Sequence, residues 1–182
     1  HVNAPDQTTI DVAAKLTGKT TGGWSIGALD AVTGPEHARY TRVGGGGAEQ
    51  EATVEPLTHF FSGRVKREMH AGNTVLGGMV TAVNRRNDSD ALRAALPGSA
   101  WVSGLDLNHA WAARRYAFDA SASHSLVQGS AGAIDQLQRS SARYFQRPDH
   151  KDYVTYDPAR RRLEGWTTDA SVAKTSGKHW LG

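Results

Sequence analysis

SAWVSGLDLNHAWAARRYAFDASAS, residues Ser99 to Ser123, decides the fold. Read with a period of two, Trp101, Leu105, Leu107 and Trp111 share one face of an extended strand, and Val102, Gly104, Asp106 and Asn108 share the other. After a turn at Ala112 to Arg114, Tyr116, Phe118, Ala120 and Ala122 continue the apolar face against Arg115, Asp119, Ser121 and Ser123. From Trp101 to Trp111 is ten steps, roughly 33 Å at about 3.3 Å per residue. A tilt of about 40° shortens this to roughly 25 Å, the height of the apolar band between the two aromatic girdles of a membrane barrel. The two tryptophans are therefore expected to anchor opposite membrane interfaces, with Asp106 and Asn108 facing a lumen.

The same plan recurs on both sides of this hairpin. Upstream, Ile10, Val12, Ala14 and Leu16 alternate with Asp11, Ala13, Lys15 and Thr17, TTGG (Thr20 to Gly23) turns, and Trp24, Ile26 and Ala28 alternate with Ser25 and Gly27. In LTHFFSGRVKREM, Leu57, Phe61, Gly63 and Val65 share one face and Phe60, Ser62, Arg64, Lys66 and Glu68 the other. A turn near Ala71 to Asn73 leads into TVLGGMVTAVNR. A fourth pair starts near Leu163, turns at Thr175 to Lys178 and is cut off at His179 to Gly182. Connections within pairs are short, whereas those between pairs (about Thr33 to Thr53, Arg85 to Ser99 and Leu126 to Arg161) are long. Structureless loops of that size are uncommon in compact soluble domains, and short turns opposite long loops are the plan of an outer-membrane barrel.

Aromatic placement agrees with this plan. Trp24 follows a short turn, Trp111 and Tyr116 flank another, and Trp180 follows the last. Phe60, Phe61, Trp101 and Trp166 sit at the opposite strand ends. The competing reading is a soluble antiparallel meander whose strand-end aromatics cap a core. His59, His109 and His124 on the apolar faces, and Leu29 and Met79 on the polar ones, favour that competitor.

Bulk properties are compatible with both. The chain has 182 residues, 38% of them hydrophobic, with five tryptophans and 20 glycines, which leans away from disorder and towards β-structure. No apolar run is long enough for a spanning helix, but a membrane strand needs only alternation. The net charge of +3 is weak evidence for an anionic partner. The absence of cysteine excludes a disulfide framework and a thiolate metal site. A start at His1, without Met or a signal-peptide pattern, suits a mature chain or an excised fragment.

The long loops carry helix signals. In Asn87 to Gly98, Ser89 or Asp88 caps a short helix with Leu92 and Leu96 four apart, and Pro97-Gly98 stops it. A second helix is expected from a Ser130 cap to Pro148, with Ile134, Leu137, Ser141, Tyr144 and Phe145 as its buried stripe. Arg139, Arg143 and Arg147 then line one helical face below Asp135. Such a ladder could bind phosphate or carboxylate, including that of lipopolysaccharide, or it could be a solvated face with Asp135 paired to Arg139. The lumen-side Arg64, Lys66, Glu68, Asp106, Asn108, Arg115, Asp119 and Asp169 either tune solute selectivity or hydrate and cross-link a polar interior.

Motifs that carry chemistry are scarce in this sequence. There is no nucleophile motif, Walker loop or HExxH, and Gly44 to Gly47 lacks the Lys-Ser/Thr of a phosphate cradle. Asp149 to Asp152 (DHKD) offers one histidine and two acids, a set more often solvated than metal-bound. Asp106 and Asp119 lie on neighbouring strands, but nothing fixes the separation that glycoside hydrolysis requires. No basic aromatic platform for nucleic acid is present. No catalytic residue, cofactor or metal is therefore expected.

TAVNRRNDSDALRAALPGSAWVSGLDLNHAWAARRY and IDQLQRSSARYFQRPDH resemble the domain-of-unknown-function 5916 family, as do KLTGKTTGGWSIGALDAVTG and EPLTHFFSGRVKREMHAGNTVLGGMVTAVNR. QRSSARYFQRPD is the most specific piece. The resemblance covers most of the chain. It implies an outer-membrane β-barrel of a Gram-negative bacterium, usually fused to an N-terminal domain similar to family-nine carbohydrate-binding modules. It implies a larger barrel than the strands seen here, with residues 1–182 as a fragment of that one domain. The expectation is thus an all-β, antiparallel up-and-down meander of about eight strands, unclosed in this chain, with short helices in the long loops. Its expected role is a membrane scaffold or pore, linked to glycan capture or uptake through a carbohydrate-binding domain missing from these residues, with outer-membrane lipid, lipopolysaccharide and glycans as partners. A soluble β-rich module binding carbohydrate or protein is the alternative, and a component of a carbohydrate-degrading enzyme is the third.

Overall fold

A computed structural model describes residues 2–42, 47–149 and 154–177. The chain forms β1 (Val2–Asn3), β2 (Ile10–Lys19), β3 (Trp24–Thr33), β4 (Glu36–Thr41), β5 (Glu49–Glu55), β6 (Leu57–Met69), β7 (Thr74–Arg86), α1 (Asp90–Ala95), β8 (Ser99–Trp111), β9 (Tyr116–Gln128), α2 (Ala131–Arg139) and β10 (Arg162–Lys174). Seven strands make one antiparallel sheet in the order β10-β9-β8-β7-β6-β3-β2. It is an up-and-down meander interrupted once, between β3 and β6. β2 and β10 are its two edges and do not pair with each other, so among the described residues the sheet is unclosed, as expected. The eighth strand expected at the C-terminus, with Trp180, lies outside the described residues.

The register runs as the alternation requires. Leu76 faces Leu107, Leu105 faces Ala122, and Trp111 faces Tyr116. On the other side of the pleat, Gly77 faces Asp106 and Asn108 faces Asp119. Directly opposed residues share a face, so each face can be followed from strand to strand. One departure is a bulge between Ile10 and Val12, which sets Ile10 opposite Thr33 while Val12 stays opposite Val32.

The hairpin turns need left-handed backbone. His70, Ala71 and Gly72 have positive φ, as do Ala112, Ala113 and Arg114. At Gly23 the requirement is stricter: φ is +81° and an added Cβ would collide with the Glu68 carbonyl oxygen. That close approach lets Glu68 N–H donate to Gly23 O at 2.8 Å and ties the first turn to β6.

The expected loop from Thr33 to Thr53 is in fact structured. β4 and β5 form a hairpin that β1 extends into a separate three-stranded sheet. Arg39 faces Glu51 there, with a 3.6 Å ion pair. Because the main sheet is a meander, this small sheet and both helices follow from strand ends on one side, opposite the short turns. Ser89 and Ser130 are the N-caps, accepting from Leu92 N–H and Ala133 N–H at 3.1 Å each. The helices pack together, with Ser130 Oγ donating to the Arg93 carbonyl. Leu92, Ala133 and a fully buried Ile134 lie on these helices, the last contributing about 1.5–3 kcal/mol.

Among the described residues, most of the main sheet has no second layer. Leu16 is 65% exposed and Leu105 66%, with Ile26, Val65, Leu76 and Val172 also exposed on that same face. A two-layer soluble domain would bury one face of each strand.

Candidate functional site

Three features differ from a plain sheet: an apolar face banded by aromatic side chains, a polar face cross-linked by charges, and a cavity at the loop end.

On the apolar face, Trp24, Trp111 and Tyr116 lie at the turn end, and Phe61, Trp101 and Trp166 lie towards the loop end. Trp111 and Tyr116 stack at 5.6 Å, and the Arg67 guanidinium covers the Trp24 ring at 5.0 Å. Phe60 is one residue out of phase and stands on the polar face with Ser62 and Arg64. The histidines on the apolar face all have partners. His59 Nε2 donates to Asp30 Oδ2 at 2.7 Å. His109 Nδ1 lies 2.9 Å from the Thr74 hydroxyl, and its ring stacks on Trp111 at 5.8 Å. His124 lies against the Trp166 ring at 4.2 Å, with Glu164 3.8 Å from its Nε2. Polar side chains held this way extend the aromatic bands rather than interrupt the apolar one. Between the bands, a groove of about 720 Å³ crosses the strands where Ala28, Gly63, Gly78 and Ala122 leave room between Ile26, Phe61, Leu105 and Trp166.

On the polar face, Arg64 Nη2 contacts Asp106 Oδ1 at 2.8 Å, and Lys66 Nζ meets Glu68 at 2.9 Å with Lys19 on the same carboxylate at 3.6 Å. Asn108 Nδ2 donates to Asp119 at 2.6 Å. Asp106 and Asp119 are thus taken up by different partners, an arrangement suited to cross-linking. Asp169 is exposed opposite Ser121. Arg115 lies in the turn, where its carbonyl accepts from Thr175 N–H at 2.8 Å. Leu29 and Met79 do stand on this face, exposed.

The loop end departs most from expectation. α2 stops at Arg139 rather than at Pro148. Ser140 turns extended and its hydroxyl donates to the Leu137 carbonyl at 2.7 Å. Tyr144 then takes a positive φ of 43°, and Phe145 N–H returns to the Gln138 carbonyl at 2.9 Å. The three arginines therefore do not line one helical face. Of the expected stripe only Ile134 is buried, joined instead by Ala133 and Gln138. Arg139 is paired to Asp135 at 3.0 Å and also donates to the Tyr156 hydroxyl, which itself donates to Asp135 at 2.6 Å. Donation from Tyr156, then from Arg139, holds the Asp135 carboxyl below its ordinary value. The same carboxylate pushes the Tyr156 phenol up. Gln138 seals the clasp, donating to the Asp157 carbonyl at 2.8 Å and accepting from Asp157 N–H at 3.0 Å. Arg147 lies 3.7 Å from Asp149; the rest of DHKD, residues 150–152, lies outside the described residues.

Beyond the clasp is a cavity of about 410 Å³ lined by Ser125, Val127, Arg143, Phe145, Val154, Arg160, Leu163, Glu164, Gly165 and Trp166. Arg143 reaches it from the ladder; Arg160 and Val154 had no sequence signal, since they sit in a stretch without periodicity. Among the described residues no group of three or more His, Asp or Glu side chains could hold a metal.

The model of the domain-of-unknown-function 5916 family matches residues 1–181. The chain belongs to that family. No curated protein and no solved structure matches it significantly. The family is described as a domain of unknown function, so membership assigns no activity.

Proposed function

We propose that this chain is a segment of an outer-membrane β-barrel of a Gram-negative bacterium, serving as a membrane scaffold or solute pore. The observation that carries this reading is the uncovered apolar face. Leu16, Ile26, Val65, Leu76, Leu105 and Val172 are all exposed on it, between one band of Trp24, Trp111 and Tyr116 and another of Phe61, Trp101 and Trp166. Monomeric soluble proteins rarely expose contiguous apolar patches larger than a few hundred Å². Lipid covers such a surface, and the aromatic side chains suit its two interfaces. The opposite face, with Arg64, Lys66, Glu68, Asp106 and Asp119 in hydrogen-bonded contact, suits a wet lumen. The link to glycan capture or uptake in this reading runs through the carbohydrate-binding domain that the family resemblance implies, not through the barrel itself.

Partition into lipid vesicles tests this. The protein is expected to enter dioleoylphosphatidylcholine vesicles, and lipids brominated along the acyl chain are expected to quench its tryptophan fluorescence. A monodisperse protein in plain buffer that ignores vesicles overturns the membrane reading and favours a soluble binding module.

A further inference from the structure

We infer that the cavity at the loop end is a binding site for an anionic saccharide, a sugar ring carrying a carboxylate or phosphate. Its walls combine two chemistries. Val127 and Leu163 come from the ends of β9 and β10, and the loop adds Phe145, giving an apolar surface against which the C–H face of a sugar ring can lie. Arg143 and Arg160 supply guanidinium groups on the same cavity. Neither has an acidic partner among the described residues: Glu164, which also lines the cavity, is taken by Arg162, Asp149 by Arg147 and Asp135 by Arg139. Arg160 is half-buried, so its charge is partly desolvated with no compensating carboxylate among the described residues. An unpaired, partly buried guanidinium gains most from a ligand carboxylate or phosphate, which it binds in bidentate fashion. The volume of about 410 Å³ falls within the usual range for ligand pockets, roughly 300–1,000 Å³.

The wall is also built to stay in place. The Asp135–Arg139–Tyr156 clasp and the Gln138–Asp157 pair of hydrogen bonds fix both ends of the loop that carries Arg143 and Phe145, and Arg160 follows three residues after Asp157. Tyr144 adopts a left-handed conformation that costs a non-glycine residue energy, and it stands between Arg143 and Phe145.

Two sources present this chemistry: a free acidic oligosaccharide and the headgroup of lipopolysaccharide. The second rests on the membrane reading above; the first does not. The test uses the whole chain, in buffer and in detergent micelles, with tri-galacturonate and neutral maltotriose as soluble probes. Vesicles with and without lipopolysaccharide provide the lipid arm. At least one acidic probe is expected to bind saturably, with a Kd raised tenfold or more by Arg143→Gln with Arg160→Gln. Maltotriose is expected not to bind. Arg161→Gln removes an exposed neighbouring charge outside the cavity and is expected to leave binding unchanged. Circular dichroism checks that each variant keeps its β-structure. Tri-galacturonate binding by a protein that ignores vesicles keeps this site and discards the membrane reading. The site is overturned if neither acidic probe binds the folded protein, if maltotriose binds equally well, or if Arg161→Gln weakens binding as much as the double variant.

Discussion

Arg64 reaches Asp106 across the whole width of β7. The two residues belong to β6 and β8, and Nη2 lies 2.8 Å from one carboxylate oxygen and 3.0 Å from the other. The gap exists because Gly77 stands between them, and a Cβ there would collide with both oxygens. Both side chains are about two-fifths exposed, 44% and 39%, so water screens the pair and its coupling is expected to be only about 0.5–1 kcal/mol. A double-mutant cycle of Arg64→Gln and Asp106→Asn is expected to measure that coupling by denaturant unfolding. In a Gly77→Ala background the carboxylate must swing away, and the coupling should fall to nearly zero. An undiminished coupling there would show that Gly77 is not what permits the pair.

Leu105 and Val102 are both exposed, on opposite faces of the same strand. On a sheet facing water on both sides, replacing either by arginine would be nearly neutral. In a bilayer they differ: Leu105→Arg at mid-strand is expected to cost about 2–4 kcal/mol, and Val102→Arg less than about 1 kcal/mol by the lumen position. Unfolding titrations in lipid vesicles compare them, and equal costs would contradict the assignment of faces.

The clasp around Asp135 is expected to depend on pH at both extremes. Asp135 has its carboxyl lowered from 3.8, so its contribution is complete above that value and is lost as acid drives the pH down through the lowered one. Tyr156 has its phenol raised from 10.0, so its contribution is complete below that value and is lost as alkali takes the pH above the raised one. Protease cleavage between Ser140 and Arg161 should therefore be slow at neutral pH and faster below about pH 4. Tyr156→Phe should make cleavage faster at neutral pH as well. A cleavage rate that Tyr156→Phe leaves unchanged would mean that the clasp does not hold the loop.

At the first turn, Gly23→Ala is expected to destabilise the protein by more than about 1 kcal/mol, because φ is positive and the new methyl would meet the Glu68 carbonyl oxygen. Gly18→Ala provides the contrast, as nothing lies within 4 Å of an added Cβ there. Thermal unfolding of the two variants should separate them.

Where one periodicity ran the length of an element, the sequence was readable. The turns at His70 to Asn73 and Ala112 to Arg115, the faces of β6 to β9, and the Ser89 and Ser130 caps all match local signals. The β4–β5 hairpin escaped notice because Glu36, Arg39, Glu49, Glu51 and Glu55 make it resemble a solvated loop. Its pairing relies on backbone hydrogen bonds and on β1, whose Val2 pairs with Tyr40 of β4 across a long separation in sequence. The length of α2 is hidden in the sequence for a related reason. Arginines spaced by four continue past Arg139, but Ser140 caps the carbonyls and redirects the chain.

By itself the sequence determined an alternating, antiparallel, up-and-down sheet with an apolar and a polar face, because side chains along a strand take opposite faces at every step. Tertiary structure decided which charges meet. Arg64 finds Asp106 through a glycine on the intervening strand, Arg139 is committed to Asp135 and Tyr156, and Arg143 and Arg160 are left beside an apolar wall. Such pairings depend on register and on how a loop folds back, distances that no local pattern encodes. The imidazole of His109 makes the same point: unexplained in an apolar alternation, it is placed by Trp111 on its own strand and by Thr74 on the next.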